Sequence, residues 1–240
     1  MKNIKKRVLI LGGSSDIGVE VVKTFLKSNW EVNAHFFKNK KRLNDLKKNY
    51  NNLKTIKLDF SNFKNINFEK KMKKNFSGKF DSFINLVGYT DNKSFQTTNL
   101  KSILKAVTIN ALIPILVNKI IVKNMLKNNW GRILNCSSIG IKFGGGSNTY
   151  NYSLSKHCSE FIPNTYKNWA KKNVFINNLR IGVTDTKMHK RMKKNMKKRV
   201  MLIPAARMAS PKEIASYILN LSTETNTYIT GQTIAVSGGE

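Results

Sequence analysis

The chain has 240 residues, 40% of them hydrophobic, and a formal net charge of +30 at pH 7. That length can bury a substantial core, and two cysteines, Cys136 and Cys158, leave no disulfide scaffold and have no metal-ligand spacing, so no metal site is expected. A basic surface can track nucleic acid, membranes or acidic partners, but lysines occur in nearly every segment without an arginine-aromatic cluster, a pattern of compositional bias that disfavours a nucleic-acid partner.

Short apolar runs alternate with longer amphipathic stretches along the chain, which is the βαβ pattern. "RVLIL" reads as a first strand, "IGVEVVKTFLKSN" as a helix and "WEVNAHFF" as a second strand. "KTIKLDF" and "DSFINLVG" are further strands, followed by a long helix around residues 98 to 124. Its apolar run "AVTINALIPILVNKIIV" is interrupted by Asn110, Pro114, Asn118 and Lys119, so it reads as a buried helix and not a membrane span. "GRILNCSS" is a strand, "YNYSLSKHCSEFIPNTYKNWAKK" one helix and "VFINNLRIG" a strand. Beyond a basic segment, "SPKEIASYILNLS" opens with serine and proline at the cap and first turn of a helix, and "QTIAVSGG" closes the sheet. The expectation is one α/β domain over residues 1–240: a doubly wound, Rossmann-type parallel sheet of about seven strands with helices on both faces. The N-terminal "VLIL" is too short for a signal peptide core, so a cytoplasmic protein is expected.

"LILGGSSDIG" places a glycine-rich turn between the first strand and first helix. Such a turn presents backbone N–H groups and a helix N-terminus to a dinucleotide diphosphate. Gly12 and Gly18 allow close approach, Ser14 and Ser15 offer hydroxyls, and Asp16, ahead of Ile17, replaces the usual middle glycine. With "NLVG" at 85–88, "NCSS" at 135–138 and "YSLSK" at 152–156, this turn resembles the short-chain dehydrogenase/reductase family, in particular its 3-oxoacyl-carrier-protein reductases. The resemblance covers essentially the whole chain, with departures at Leu11, Asp16, the "LV" of "NLVG" and the "IG" at 181–182.

Tyr150 and Tyr152 compete for the acid/base role. Tyr152 shares a helical face with Lys156, four residues on, whereas Tyr150 faces Leu154. A nearby ammonium should lower a phenol pKa from about 10, which makes Tyr152 the expected proton donor. The resemblance implies that Lys156 also holds the nicotinamide ribose, that Ser138 holds the substrate carbonyl, and that Asn110 is a proton-relay asparagine. Alternation along the strand would point Ser137 away from Ser138. A mid-helix asparagine needs a partner in any case, so a structural role for Asn110 stands beside the relay role. A serine hydrolase is rejected: there is no GxSxG elbow, and His35, His157 and His189 lie near no nucleophile.

An NAD site needs a carboxylate after the second strand to accept from the ribose 2′-hydroxyl. Here Phe36 occupies that place, Phe37 and Lys38 follow, and Lys40, Lys41 and Arg42 stand behind, which favours NADP(H), with NAD(H) the weaker candidate. By resemblance, Asp59 contacts the adenine edge, with Phe60 beside it. Asn85 and Gly88 lie on the cofactor side, and Thr184 and Thr186 near the nicotinamide. Residues 186–212 contain no acidic side chain, and Met188, Met192 and Met196 recur at helical spacing among Lys193, Lys194, Lys197 and Lys198. This segment resembles the family's substrate lid and suggests an anionic substrate: an acyl-carrier or CoA thioester, or a sugar derivative. The resemblance also implies a homodimer or homotetramer. A catalytically inactive NADP(H) sensor and a basic nucleic-acid binder on the same scaffold are the alternatives.

Overall fold

The computed structural model describes residues 5–187 and 196–240. Met188, His189, Met192, Lys193 and Lys194 of the basic segment lie outside the described residues. Seven strands form one parallel sheet: β1 (Arg7–Leu11), β2 (Glu31–Phe36), β3 (Leu53–Lys57), β4 (Ser82–Asn85), β5 (Gly131–Ser138), β6 (Val174–Ile181) and β7 (Thr233–Val236). Their order is β3-β2-β1-β4-β5-β6-β7, so the winding reverses between β1 and β4. Open α/β sheets bind ligands at such a switch point, beyond the carboxyl ends of the strands.

Alternate residues of β1 serve opposite faces. Val8 and Ile10 pack with Val21, Val22 and Phe25 of α1 (Asp16–Lys27) and with Ile214 and Ile218 of the helix Pro211–Leu221. Leu9 and Leu11 pack on the other side with Phe68, Met72 and Phe76 of the helix Phe68–Phe76 and with Ile113, Val117 and Ile121. Both faces are therefore covered, which is why the strands read as short apolar runs.

The long central helix runs from Leu100 to Lys127, and by length and composition alone it could cross a membrane. It lies along the sheet instead, burying Ile109, Ile113, Val117 and Ile121. A π-helical turn, Thr108–Leu112, interrupts it at Asn110, just before Pro114.

Three local features differ from the sequence-based expectation. Helices occupy Lys41–Asn49 and Phe68–Phe76, where the apolar pattern points to none; the first buries only Leu43 among exposed charges, so its periodicity is faint. The expected single helix after β5 is two: Tyr150–Ser159 and the short Tyr166–Ala170. Pro163 lies in the break, where it removes a donor and restricts the preceding residue. The break is pinned to β6, since Asn178 donates to the Glu160 carbonyl at 2.7 Å and Arg180 forms a two-pronged ion pair with the Glu160 carboxylate.

Candidate active site

A cavity of about 770 Å³ opens over the carboxyl ends of β1, β4 and β5. Its wall includes Gly12, Ser14, Ser15, Asp16 and Ile17 from the first turn, Phe37 and Lys38 after β2, Asp59 and Phe60 after β3, and Gly88. Ser138, Tyr152, Lys156, Thr184 and Thr186 complete the opposite side. Gly18 and Asn85 instead support the wall. Asn85 is buried, accepting from Val87 N at 3.1 Å, and its side-chain amide nitrogen has no protein partner.

The turn has the geometry that close backbone approach requires. Gly12 takes φ +76°, and a Cβ there would lie 2.9 Å from Leu86 O; a Cβ on Gly18 would lie 2.3 Å from Gly12 O. Ser15 caps α1 by accepting from Gly18 N at 3.0 Å and donates to Gly12 O at 2.8 Å. A glycine-lined turn feeding a 12-residue helix fits a dinucleotide diphosphate. Asp16 departs from that design: its carboxylate accepts from Arg42 at 2.8 Å and from Lys187 N at 2.7 Å, while Arg42 also donates to Ser14 O at 3.0 Å. Arg42 thus offsets a negative charge placed where another negative charge belongs.

Asp59 accepts from Ser61 N and Ser61 Oγ at 2.8 and 2.7 Å, which shapes the loop after β3. Phe36 is buried and Phe37 is exposed into the cavity, so no carboxylate stands at the end of β2. Thr184 donates to Gly182 O at 3.0 Å, and Gly182 abuts Ser237 so closely that a Cβ would lie 2.5 Å from its Cα.

At the other end, Tyr152 lines the cavity, while Tyr150 packs edge-on against Phe95 with centroids 5.3 Å apart. Ser138 accepts from Gly140 N at 3.2 Å and lines the cavity beside Tyr152. Ser137 also borders the cavity, but its hydroxyl is buried without a protein partner.

Lys156 is buried, and its amine donates to Val87 O and Cys136 O at 2.7 Å each. Burial pulls its pKa down to about 8, opposed by Cys136 and Glu160. The expected lowering of the tyrosine pKa is not found. Burial pushes the Tyr152 phenol up to about 12, the Ser138 hydroxyl works against it, and Cys136 adds to it. The physical reason is that the Lys156 amine is turned to the two carbonyls and stands 5.9 Å from the phenol ring centroid. Asn110, fully buried, donates to Tyr89 O and Ser155 Oγ at 2.9 and 2.8 Å and accepts from Tyr89 N at 2.7 Å. Its side chain thereby clamps the loop after β4 to the helix bearing Tyr152.

Lys105 and His35 are among the cavity residues that the sequence pattern does not single out. Lys105 stands over the Tyr89 ring at 5.0 Å on the rim, and its signal was lost among the many lysines. His35 lies beneath the turn, and only a buried polar residue in a strand could have hinted at it. Among the described residues no three His, Cys, Asp or Glu side chains gather to hold a metal ion.

A parallel sheet with its switch point at a glycine turn, and a Ser-Tyr-Lys group across the cavity, define a nicotinamide-dinucleotide oxidoreductase. The family model described as "Enoyl-(Acyl carrier protein) reductase" matches residues 12–240, and the chain belongs to that family, within the short-chain dehydrogenases/reductases. It is an NAD(P)-dependent oxidoreductase acting on a carbonyl/alcohol pair. Among curated relatives, 3-oxoacyl-[acyl-carrier-protein] reductase FabG of Aquifex aeolicus is 32% identical over 69% of this chain and 67% of its own length. The Chlamydia pneumoniae protein of the same name is 25% identical over 98% and 97%. Acetoacetyl-CoA reductase of Acinetobacter sp. is 30% identical over 68% of this chain and 66% of its own. Among solved structures, ElxO with NADP bound is 26% identical with a TM-score of 0.82, covering 98% of both chains.

Proposed function

We propose that this protein is an NADP(H)-dependent reductase of a 3-oxoacyl thioester carried by an acidic carrier or by CoA. The carrying observation is that Ser138, Tyr152 and Lys156 line one cavity with the Gly12 turn and with Lys38. The two reductase names among the relatives support the thioester class, and the absence of a carboxylate at Phe36 and Phe37 supports the phosphorylated cofactor.

When bound, the nicotinamide cofactor supplies or accepts the hydride. Gly12, Ser14, Ser15 and Ile17 would hold its diphosphate, Asp59 and Phe60 its adenine side, Lys38 its 2′-phosphate, and Thr184 and Thr186 its nicotinamide side. Ser138 donates to the substrate carbonyl oxygen and fixes it beside Tyr152. The Tyr152 hydroxyl gives its proton to that oxygen as negative charge develops. The Tyr152 phenol, pushed up to about 12 by burial, carries its proton at neutral pH and so has one to give in the reducing direction. Lys156, held by Val87 O and Cys136 O, keeps a positive charge near the reacting oxygens below about pH 8. A homo-oligomer in the cytoplasm completes the reading: Leu104, Leu112, Ile115 and Leu116 expose an apolar stripe on the central helix.

The test is NADPH oxidation by the purified protein against acetoacetyl-CoA and a neutral ketone, repeated with NADH. NADPH should be preferred. Lys38→Ala should narrow that preference by about one to two decades, the worth of a charge-assisted hydrogen bond to phosphate. Outright preference for NADH, or no turnover with any ketone, would sink the proposal.

A further inference from the structure

His35 is the next-to-last residue of β2 and only 4% exposed. Its ring stacks on Phe60 with centroids 4.4 Å and planes 10° apart, and Phe76 meets it edge-on at 6.3 Å. Both ring nitrogens face backbone. Nε2 lies 2.8 Å from Leu58 O, and Nδ1 lies 3.3 Å from Gly12 N. A carbonyl oxygen only accepts and a backbone N–H only donates, so the pair of partners selects one tautomer: protonated at Nε2 and bare at Nδ1. Burial pulls the pKa down to about 4, the Leu58 hydrogen bond opposing it, so the ring is neutral around pH 7. Its own carbonyl accepts from Gly13 N at 2.8 Å.

These bonds join two parts of the cavity, the phosphate turn and the loop after β3. Gly12, at φ +76°, begins the phosphate turn. Leu58 immediately precedes Asp59 and Phe60, which form the wall on the adenine side. A phenylalanine would fill the same space and preserve the stack, so packing alone does not call for the two nitrogens.

We propose that His35 is a positioning residue for the dinucleotide: its neutral ring braces the phosphate turn against the adenine wall and so sets the spacing the cofactor must span. The role rests on the nicotinamide reading of the cavity and goes beyond it by assigning a function to a side chain that touches neither substrate nor reacting atoms. Preorganised sites bind more tightly because less ordering is left to do on binding. The effect should therefore appear in cofactor affinity and leave the chemical step alone.

Calorimetry with NADPH on the wild type, His35→Phe and His35→Asn tests this, with thermal unfolding and kcat at saturating NADPH measured in parallel. Losing both hydrogen bonds in His35→Phe should raise Kd about tenfold and leave kcat within about twofold. His35→Asn keeps an acceptor near the place of Nδ1 and should recover part of the affinity. A His35→Phe protein that loses thermal stability but binds NADPH as the wild type does would make the ring merely structural and overturn the proposal. Long-range 1H–15N spectra of the wild type should show the Nε2–H tautomer at pH 7. An Nδ1–H or doubly protonated ring would overturn it even if His35→Phe does not fold. A wild type that binds neither NADPH nor NADH would instead bring down the nicotinamide reading, and this role with it.

Discussion

At the dinucleotide end of the cavity a full ion pair, Asp16 with Arg42, stands 2.8 Å apart at the mouth, while at the catalytic end the lysine is held by two neutral carbonyl oxygens. The first end is half open, with the Arg42 side chain 40% exposed; the second buries its charge, with Lys156 only 3% exposed. Charge at the open end is screened by solvent and acts on binding. Charge at the second end is costly to bury and shifts pKa values, which is why those of Tyr152 and Lys156 move. The departure from the family pattern at Asp16 sits where compensation is possible, beside a long arginine side chain from the next helix.

The largest effect is expected at the end that holds Lys156. Tyr152→Phe keeps the ring and removes only the proton, so turnover should fall by about 10²–10⁴-fold, the usual worth of a positioned acid, with NADPH binding by calorimetry nearly unchanged. Tyr150→Phe, whose ring packs on Phe95, should be mild; a dead Tyr150→Phe would reverse the assignment of the two tyrosines.

A pH profile comes next in size. Lys156 is protonated below about 8, and the Tyr152 phenol stays protonated up to about 12. The kcat/KM for carbonyl reduction should therefore be flat below about pH 8 and fall about tenfold per unit above it, as the ammonium charge is lost. A profile that stays level through that pH would show that the lysine charge is not used.

At the open end, Arg42→Ala leaves Asp16 unpaired beside the diphosphate site and should weaken NADPH binding about tenfold. Asp16→Asn should tighten it a few-fold, and the double variant should bind like Asp16→Asn alone, because Arg42 then has no carboxylate left to offset. Additive effects of the two changes would mean that the pair is not coupled.

The smallest effect concerns substrate charge. Raising ionic strength should raise KM for acetoacetyl-CoA a few-fold and leave a neutral ketone little changed, because exposed charges are screened beyond about 8 Å at physiological salt. Equal responses would remove the case for an anionic substrate.

Much of the architecture was legible because each strand and helix carries its own local signal. Strands buried on both faces read as apolar runs, and Ser210 and Pro211 announce a helix, to which the structure adds a capping box with Glu213. The order of the glycine turn, Ser138, Tyr152 and Lys156 was equally local. The helices at Lys41–Asn49 and Phe68–Phe76 were not legible, since lysine-rich surfaces mask a narrow apolar stripe, and the break at Pro163 was passed over within a long helical pattern. Tertiary structure alone decided which groups meet. Arg42 reaches Asp16 across 26 positions, Lys156 reaches Val87 across 69, and His35 spans Gly12 and Leu58, 23 residues away on either side. It also decided the sign of the Tyr152 shift: helical spacing puts an ammonium near the phenol, but only the packed cavity shows that ammonium turned to two carbonyls and the phenol desolvated. Local propensity is a property of a few adjacent residues, whereas partner choice and desolvation depend on what the parallel sheet brings to the carboxyl ends of its strands.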